Sequence, residues 1–408
     1  MRKITVIICM LLAPYLVIAQ RFQVADVRRH IEFLASDDLE GRGTATLGEI
    51  KAANYIAGLF KDLGLVPAGS GGSYFQPFPV TVSIDGNVHS LTARNVVGFL
   101  NNGAEKTIVV GAHFDHLGKG YQGSSLSPDS KNKIHNGADD NASGTAGVLE
   151  LARYFSQNQL KEKHNFIFIA FSGEELGLLG SKYYTENPFA SLKSVSCMIN
   201  MDMIGRLGQD KSLIVSGWGT SPIWGKLIPD LAKRQSLSYT VDSSGVGASD
   251  HTSFYLKEIP VVQFFTGGHA DYHRVSDDAD KINYEGEVKI LELIAGLLEN
   301  VDKETTEPQF LMAGNPHTGK TTADFKVTLG VMPDYSYTGK GLKIDGVSKA
   351  RPAEKAGILA GDIITRLAGK DISSIYDYME ILSSHEKGQQ VEAELLRGKE
   401  VKKVKVTF

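Results

Sequence analysis

Apolar residues recur at three- and four-residue spacing in two stretches near the start of the chain: Val24, Val27, Ile31 and Leu34, then Ile50, Ala53, Ile56, Phe60 and Leu63. That period lines one face of an α-helix, so two amphipathic helices are predicted, the second stopped by Gly64. From about residue 94 the pattern changes. Short β-branched and aromatic runs at Ile108 to Gly111, Asn165 to Phe171, Val195 to Asn200, Leu213 to Ser216 and Ile259 to Phe265 alternate with helical stretches. The latter are Gly144 to Phe155, Glu174 to Tyr184, Ile223 to Lys233 and Gly286 to Leu298. This alternation predicts an α/β fold, a mixed, mostly parallel sheet flanked by helices.

After Leu298 the pattern loosens into a polar, threonine-rich stretch with prolines and glycines, read as a linker over residues 302–323. From Asp324 to Phe408 the runs are short and strand-like, with turns at Gly341, Gly361 and Gly369 and two candidate helices, Pro352 to Ala356 and Ile375 to Ser383. A chain of 408 residues is too long for one ordinary core. The expected organisation is therefore a large α/β unit over residues 20–301, the linker, and a small β-rich unit over 324–408.

Residues 1–19 read as a secretory signal. Arg2 and Lys3 supply the basic start, Ile4 to Ile18 the apolar run, and Val17-Ile18-Ala19 a small-residue cleavage site. The run is shorter than the roughly 20 residues that span a bilayer and is broken by Pro14, so export to the periplasm or the extracellular space is expected, without stable membrane insertion. Removing this segment leaves Cys197 as the single cysteine, so no internal disulfide can form. Acidic and basic side chains number 47 and 43, are well mixed, and give a net charge of −4, which excludes a global field for nucleic acid.

Two nucleotide-like motifs fail on context. Gly314-Asn-Pro-His-Thr-Gly319-Lys320-Thr321 spells a phosphate loop but lies in the linker with no helix after it, and Gly118-Lys-Gly120-Tyr-Gln-Gly123 is followed by serines and a proline rather than a helix. Ligands of an open α/β sheet collect at the carboxyl ends of its strands. The residues immediately after the apolar runs are nearly all metal-binding types: His113-Phe-Asp115-His116, Glu174-Glu175, Asp202 and, after the last run, Tyr272-His273, with Asp139-Asp140 ahead of a predicted helix. Singly, each could be a helix cap or a surface group. Burying several carboxylates at one edge is costly unless a cation joins them, and mixed imidazole and carboxylate donors suit zinc.

These motifs resemble the aminopeptidase-Y-like family of di-zinc peptidases. The matching segments are Gly111-Ala-His113-Phe-Asp115, Gly137-Ala-Asp139-Asp140-Asn141-Ala-Ser143-Gly144, Phe171-Ser-Gly173-Glu174-Glu175-Leu-Gly177, Asn200-Met-Asp202-Met-Ile-Gly205, Ser249-Asp250-His251-Thr-Ser-Phe254 and Tyr272-His273, in family order over roughly residues 30–300. The resemblance implies a zinc-peptidase fold with two Zn2+ ions, Asp140 bridging them, His113 and Asp202 completing one site and Glu175 and His273 the other. It also implies that Asp115 orients His113, that Tyr272 donates to the oxyanion, and that the peptide between Asp140 and Asn141 is cis. Glu174, beside Glu175, is then the general base for a metal-activated water, and the activity implied is removal of the N-terminal residue of peptides. A carboxypeptidase, a glutaminyl cyclase, or a non-catalytic peptide-binding protein on the same fold remain open alternatives. Asp250, His251 and Arg206 are not assigned.

Thr328-Leu329-Gly330-Val331, Gly341-Leu-Lys-Ile344, Ala353-Glu-Lys-Ala-Gly357 and Gly361-Asp362-Ile-Ile364 resemble a bacterial, protease-associated PDZ domain. The resemblance implies capture of an extended peptide as an added strand, its terminal carboxylate held near Leu329, Gly330 and Val331. A packing module with an unused groove is the alternative.

Overall fold

The structure, a computed structural model, describes residues 21–84, 87–122, 125–128, 130–208, 212–313, 327–333, 339–347, 351–372, 377–378, 381–382 and 384–408. The expected signal segment 1–19 and the phosphate-loop-like Gly314 to Thr321 lie outside the described residues. The two N-terminal helices form where the period places them, as α1 (Val24–Leu34) and α2 (Leu47–Asp62). Thr46 caps the second by accepting the Glu49 N–H, and Gly64 turns the chain away at φ +73°.

Among the described residues nine strands make one mixed sheet: β1 (Val66–Pro67), β2 (Phe75–Ile84), β3 (Asn87–Leu100), β4 (Lys106–His113), β5 (His164–Phe171), β6 (Val195–Met201), β7 (Ser212–Ser216), β8 (Ser238–Val241) and β9 (Val261–Phe265). Their order is β1-β3-β5-β4-β6-β9-β7-β8, with β2 paired to β3. The central strands β5, β4, β6 and β9 are mutually parallel, so their carboxyl ends share one edge. β4 and β5 are buried on both faces, which is why they read as continuous apolar runs rather than alternating ones.

Among the described residues five helices cover one face: α1, α2, α3 (Gly144–Gln157), α5 (Pro222–Arg234) and α7 (Tyr284–Lys303) pack on Val110, Ala112, Phe166, Phe168, Ile199 and Phe264. On the other face, α4 (Leu179–Glu186) and α6 (His251–Tyr255) place Tyr184, Phe254 and Tyr255 against Val109, Ile167, Ile169 and Met198. The helix predicted from Glu174 starts only at Leu179. Gly173, Gly177 and Leu178 adopt φ of +72°, +106° and +62°, conformations a helix cannot contain, and they make a tight turn that keeps Glu174 and Glu175 at the sheet edge. A methyl at Gly180 would lie 2.2 Å from the Ser172 carbonyl oxygen and 2.3 Å from Asn95 Oδ1. Gly180→Ala is therefore expected to cost about 1–3 kcal/mol, read as a lowered midpoint in urea unfolding.

The hairpin of β2 and β3 breaks the expected alternation because Pro77 and Pro79 fall inside a strand. Pro77 and Pro79 pair with Arg94 and Thr92, and the Arg94 N–H points away from β2 to Glu49 Oε1 at 3.0 Å. Both prolines therefore occupy non-hydrogen-bonded positions of an edge strand, where a missing N–H costs nothing.

Residues 302–313 pack on this unit. Asp302 Oδ1 accepts from the His164 N–H at 2.9 Å, the Leu311 N–H donates to the Thr220 carbonyl, and the Ala313 N–H donates to the Tyr255 hydroxyl oxygen. The C-terminal part forms an antiparallel sheet of β10 (Val331–Pro333), β11 (Leu342–Val347), β12 (Ile363–Leu367), β13 (Lys370–Asp371), β14 (Gln390–Arg397) and β15 (Glu400–Thr407), with a short helix α8 (Pro352–Lys355). It has its own core of Leu329, Ile344, Ile364, Leu367, Ile381 and Leu395. Of the predicted helix Ile375 to Ser383, residues 377–378 and 381–382 are described, and they are helical.

Candidate metal centre

The parallel strands deliver their last polar residues to one place. His113 ends β4, Glu174 and Glu175 follow β5, Asp202 follows β6, Asp140 lies in the turn entering α3, and His273 lies in the loop after β9. His113 Nε2 stands 3.4 Å from Asp140 Oδ1 and 3.4 Å from Asp202 Oδ1. On the opposite side, His273 Nε2 stands 3.2 Å from Asp140 Oδ2 and 3.2 Å from Glu175 Oε2. The two oxygens of Asp140 thus face two separate groups of donors.

His116 joins the second group, which nothing in its local sequence pattern signals. Its Nδ1 is 2.7 Å from Glu175 Oε1 and 3.7 Å from Asp140 Oδ2, and its buried Nε2 has no hydrogen-bond partner among the described residues. Donor atoms of His113, Asp140 and Asp202, and likewise of His116, Asp140 and Glu175, all lie within 4.8 Å of one another. Zinc bonds to nitrogen and oxygen are about 2.0–2.2 Å, so donors about one bond diameter apart need only small adjustments to meet one ion. The donor chemistry fits zinc.

Main-chain hydrogen bonds fix these groups from behind. His113 Nδ1 lies 3.1 Å from the Asp115 carbonyl oxygen; a nitrogen facing a carbonyl must carry a proton, so Nε2, which faces Asp140 and Asp202, is the nitrogen available to a metal. The Asp115 carboxylate is 3.8 Å from that ring. Its hydrogen bonds come from Thr44 Oγ1 at 2.6 Å and from the Glu174 N–H at 3.2 Å, so the acid seats Glu174. Asp277 Oδ2 accepts the N–H groups of both Asp139 and Asp140, at 3.0 and 3.1 Å. Asp139 in turn accepts from the Gly205 N–H and contacts His269 Nε2 at 3.0 Å. Asn141 donates to the Met201 carbonyl and accepts from the Gly144 and Met203 N–H groups, tying the turn to the end of β6. The peptide between Asp140 and Asn141 is cis.

The electrostatics favour added positive charge. Burial opposes protonation of His113 and His273, yet Glu174 and Asp202 hold the first imidazole, and Glu175 and Asp140 the second, well above their ordinary range. Burial, together with the negative charge of Glu175 and Asp202 and against the pull of His113, pushes the Glu174 carboxyl well above the usual carboxylate range. Glu174 Oε2 lies 3.9 Å from His113 Nε2, at the rim of the first donor group.

Tyr272 stacks on His273, with ring centroids 3.9 Å apart, and packs against Met203, Ile214 and Phe265. Arg206 Nη2 pairs with Asp271 Oδ2 at 2.9 Å, so it braces the loop leading to His273. Asp250, at the start of α6, is fully buried near His113 and Asp202, and burial pushes its carboxyl up to about 7.

Glu49 supports the base loop from α2 by accepting Ser172 Oγ at 2.8 Å. Burial pushes its carboxyl up to about 7, against the hydrogen bonds from Ser172 and the Arg94 N–H. An acid whose folded value is raised contributes stability below its unfolded value and loses it as pH rises through the folded one. The melting temperature of the wild-type chain is therefore expected to fall relative to that of Glu49→Gln between about pH 5 and pH 8, as read by thermal unfolding across that range.

The profile of Peptidase family M28 matches residues 95–298, half of the chain, and that of the PDZ domain matches residues 322–408. Leupeptin-inactivating enzyme 1 of Streptomyces exfoliatus is 34% identical over 146 residues, covering 36% of this chain and 32% of that protein. The probable lipoprotein aminopeptidase LpqL of Mycobacterium tuberculosis is 27% identical over 273 residues, 61% of this chain and 49% of that protein. The chain thus spans from about a third to a half of these curated relatives. A zinc aminopeptidase from Bacillus subtilis superposes with a TM-score of 0.56 at 19% identity, covering 71% of this chain and 98% of its own. A glutaminyl cyclase from Porphyromonas gingivalis does so with a TM-score of 0.57 at 17% identity, covering 69% and 99%. At these identities the likeness is one of fold. With the family profile matched across residues that include His113, Asp140, Glu175, Asp202 and His273, this chain belongs to Peptidase family M28 and carries a PDZ domain after its peptidase unit.

Proposed function

We propose that the chain is an exported aminopeptidase that holds two zinc ions per chain and hydrolyses the N-terminal residue of peptides. The observation that carries this reading is the placement of Asp140 between two donor groups, His113 with Asp202 and Glu175 with His273, and Glu174 at their rim. Zinc at these donors would polarise a peptide carbonyl and acidify water. Glu174 would take the proton from the attacking water and pass it to the departing amine. Asp115 would orient His113, whose Nδ1 faces the Asp115 carbonyl oxygen, and its carboxylate, which accepts from Thr44, would also hold the main chain of Glu174 through the Glu174 N–H. Tyr272 would donate its hydroxyl to the oxygen of the scissile carbonyl. The basic and apolar opening residues support export to the periplasm or beyond, and among the described residues no helix is long and apolar enough to cross a membrane. Residues 20–301 would form the peptidase unit and 324–408 the PDZ unit, whose Leu329, Gly330 and Val331 would receive a peptide C-terminus.

Product masses from a short peptide supplied with a free and with an acetylated N-terminus test the reading. Loss of the first residue from the free peptide alone is the expected result. Loss of the last residue would identify a carboxypeptidase. Loss of ammonia from an N-terminal glutamine with chain length unchanged would identify a cyclase.

A further inference from the structure

Arg42 is fully buried and stands among none of the donors described above. Its backbone is in the left-handed region at φ +48°, between Gly41 at +71° and a segment that bridges Gly43 to His116. A methyl at Gly41 would meet the His135 carbonyl oxygen at 2.4 Å, so the chain is pressed flat here against the loop after β4. From this position the guanidinium reaches four main-chain carbonyls. Nε donates to Phe114 at 2.7 Å, Nη1 to Asn136 at 2.6 Å and to Leu34, and Nη2 to Gly137 at 2.9 Å. The Arg42 carbonyl meanwhile accepts the His116 N–H at 3.2 Å.

The acceptors are not scattered. Phe114 follows His113 and precedes Asp115, while Asn136 and Gly137 lead directly into Asp139 and Asp140. One rigid fork therefore spans the two loops whose relative position sets the distance from His113 to Asp140. Burial makes the guanidinium easier to deprotonate, and Asp140, Asp115, Asp277 and Glu175 offset that cost. A fork of five donors in fixed geometry can bind carbonyls from several directions at once, which an ammonium on a flexible stem cannot reproduce.

We propose that Arg42 is a positioning residue for the metal centre, holding the His113–His116 loop and the Asn136–Asp140 loop at the separation that lets Asp140 serve both donor groups. The proposal rests on the metal-dependent reading above. The alternative is a brace for the fold alone.

The test compares wild-type, Arg42→Lys and Arg42→Gln chains for thermal unfolding, for zinc affinity by competition with a chromogenic chelator, and for kcat and KM separately. Arg42→Lys keeps the charge, so a change in zinc affinity reports geometry. The expected result is a folded Arg42→Lys chain with zinc affinity lowered by about 10- to 100-fold, as for other residues that orient metal ligands, and with kcat reduced at least about tenfold and KM within about threefold. A folded Arg42→Lys chain with wild-type zinc affinity overturns the proposal. Failure of both variants to fold also overturns it, since Arg42 would then serve the fold, and so does a wild-type chain that binds no zinc. Zinc affinity is read without substrate, so a wild-type chain that binds zinc but cleaves no peptide sinks the peptidase reading and leaves this comparison decisive.

Discussion

Replacing Asp140 by asparagine is expected to lower bound zinc from two ions to about one per chain and to cut peptide turnover by at least about 10³-fold. Each oxygen of Asp140 faces a different pair of partners, His113 and Asp202 on one side and His273 and Glu175 on the other, at 3.2–3.4 Å for the imidazoles. An amide of the same shape keeps one acceptor and turns a donor toward the other group, so one site loses an anionic donor and gains a repulsive N–H. Metal ions contribute several kcal/mol to charge stabilisation in such reactions, and each 1.36 kcal/mol is a factor of ten, which sets the expected loss. Because the substitution removes one charge from a crowded group of carboxylates, the fold should persist. Elemental analysis of the dialysed chain, with circular dichroism as the control, provides the measurement.

Glu174→Gln is expected to separate chemistry from metal binding: two zinc ions retained, KM little changed, and kcat lowered by about 10²–10⁴-fold. The Glu174 N–H is held by Asp115 and its carboxylate sits 3.9 Å from His113, outside both groups of close donors, so the amide has no structural task that it fails. What it lacks is a proton-accepting oxygen at the rim of the site. Steady-state kinetics on a free peptide, paired with elemental analysis, reads both quantities. Loss of zinc along with activity would make Glu174 a ligand rather than a base.

Much of this centre was legible from residue order because a parallel sheet converts sequence pattern into position. An apolar run that ends in His113, another followed by Glu175 and a third followed by Asp202 must bring those residues to one edge once β4, β5 and β6 are neighbours and parallel. The supports were not legible. Asp277 binds the Asp139 and Asp140 N–H groups across 138 and 137 residues, and Arg42 reaches Gly137 across 95, so no local pattern announces them. His116 lay in plain view beside Asp115, but only the path of the Glu174-Glu175 turn brings its Nδ1 to Glu175. The same turn explains the misplaced start of α4, since helical periodicity cannot register that Gly177 and Leu178 leave helical space. β2 was hidden by its prolines, which an edge position tolerates and a central strand would not.

The decisive measurement is a titration of the zinc-stripped chain with zinc while cleavage of a free-amino peptide is followed. Turnover should rise with added metal, level off at two equivalents, and yield the first residue as product. Full turnover in the stripped chain, or saturation with two equivalents and no cleavage, would contradict the account.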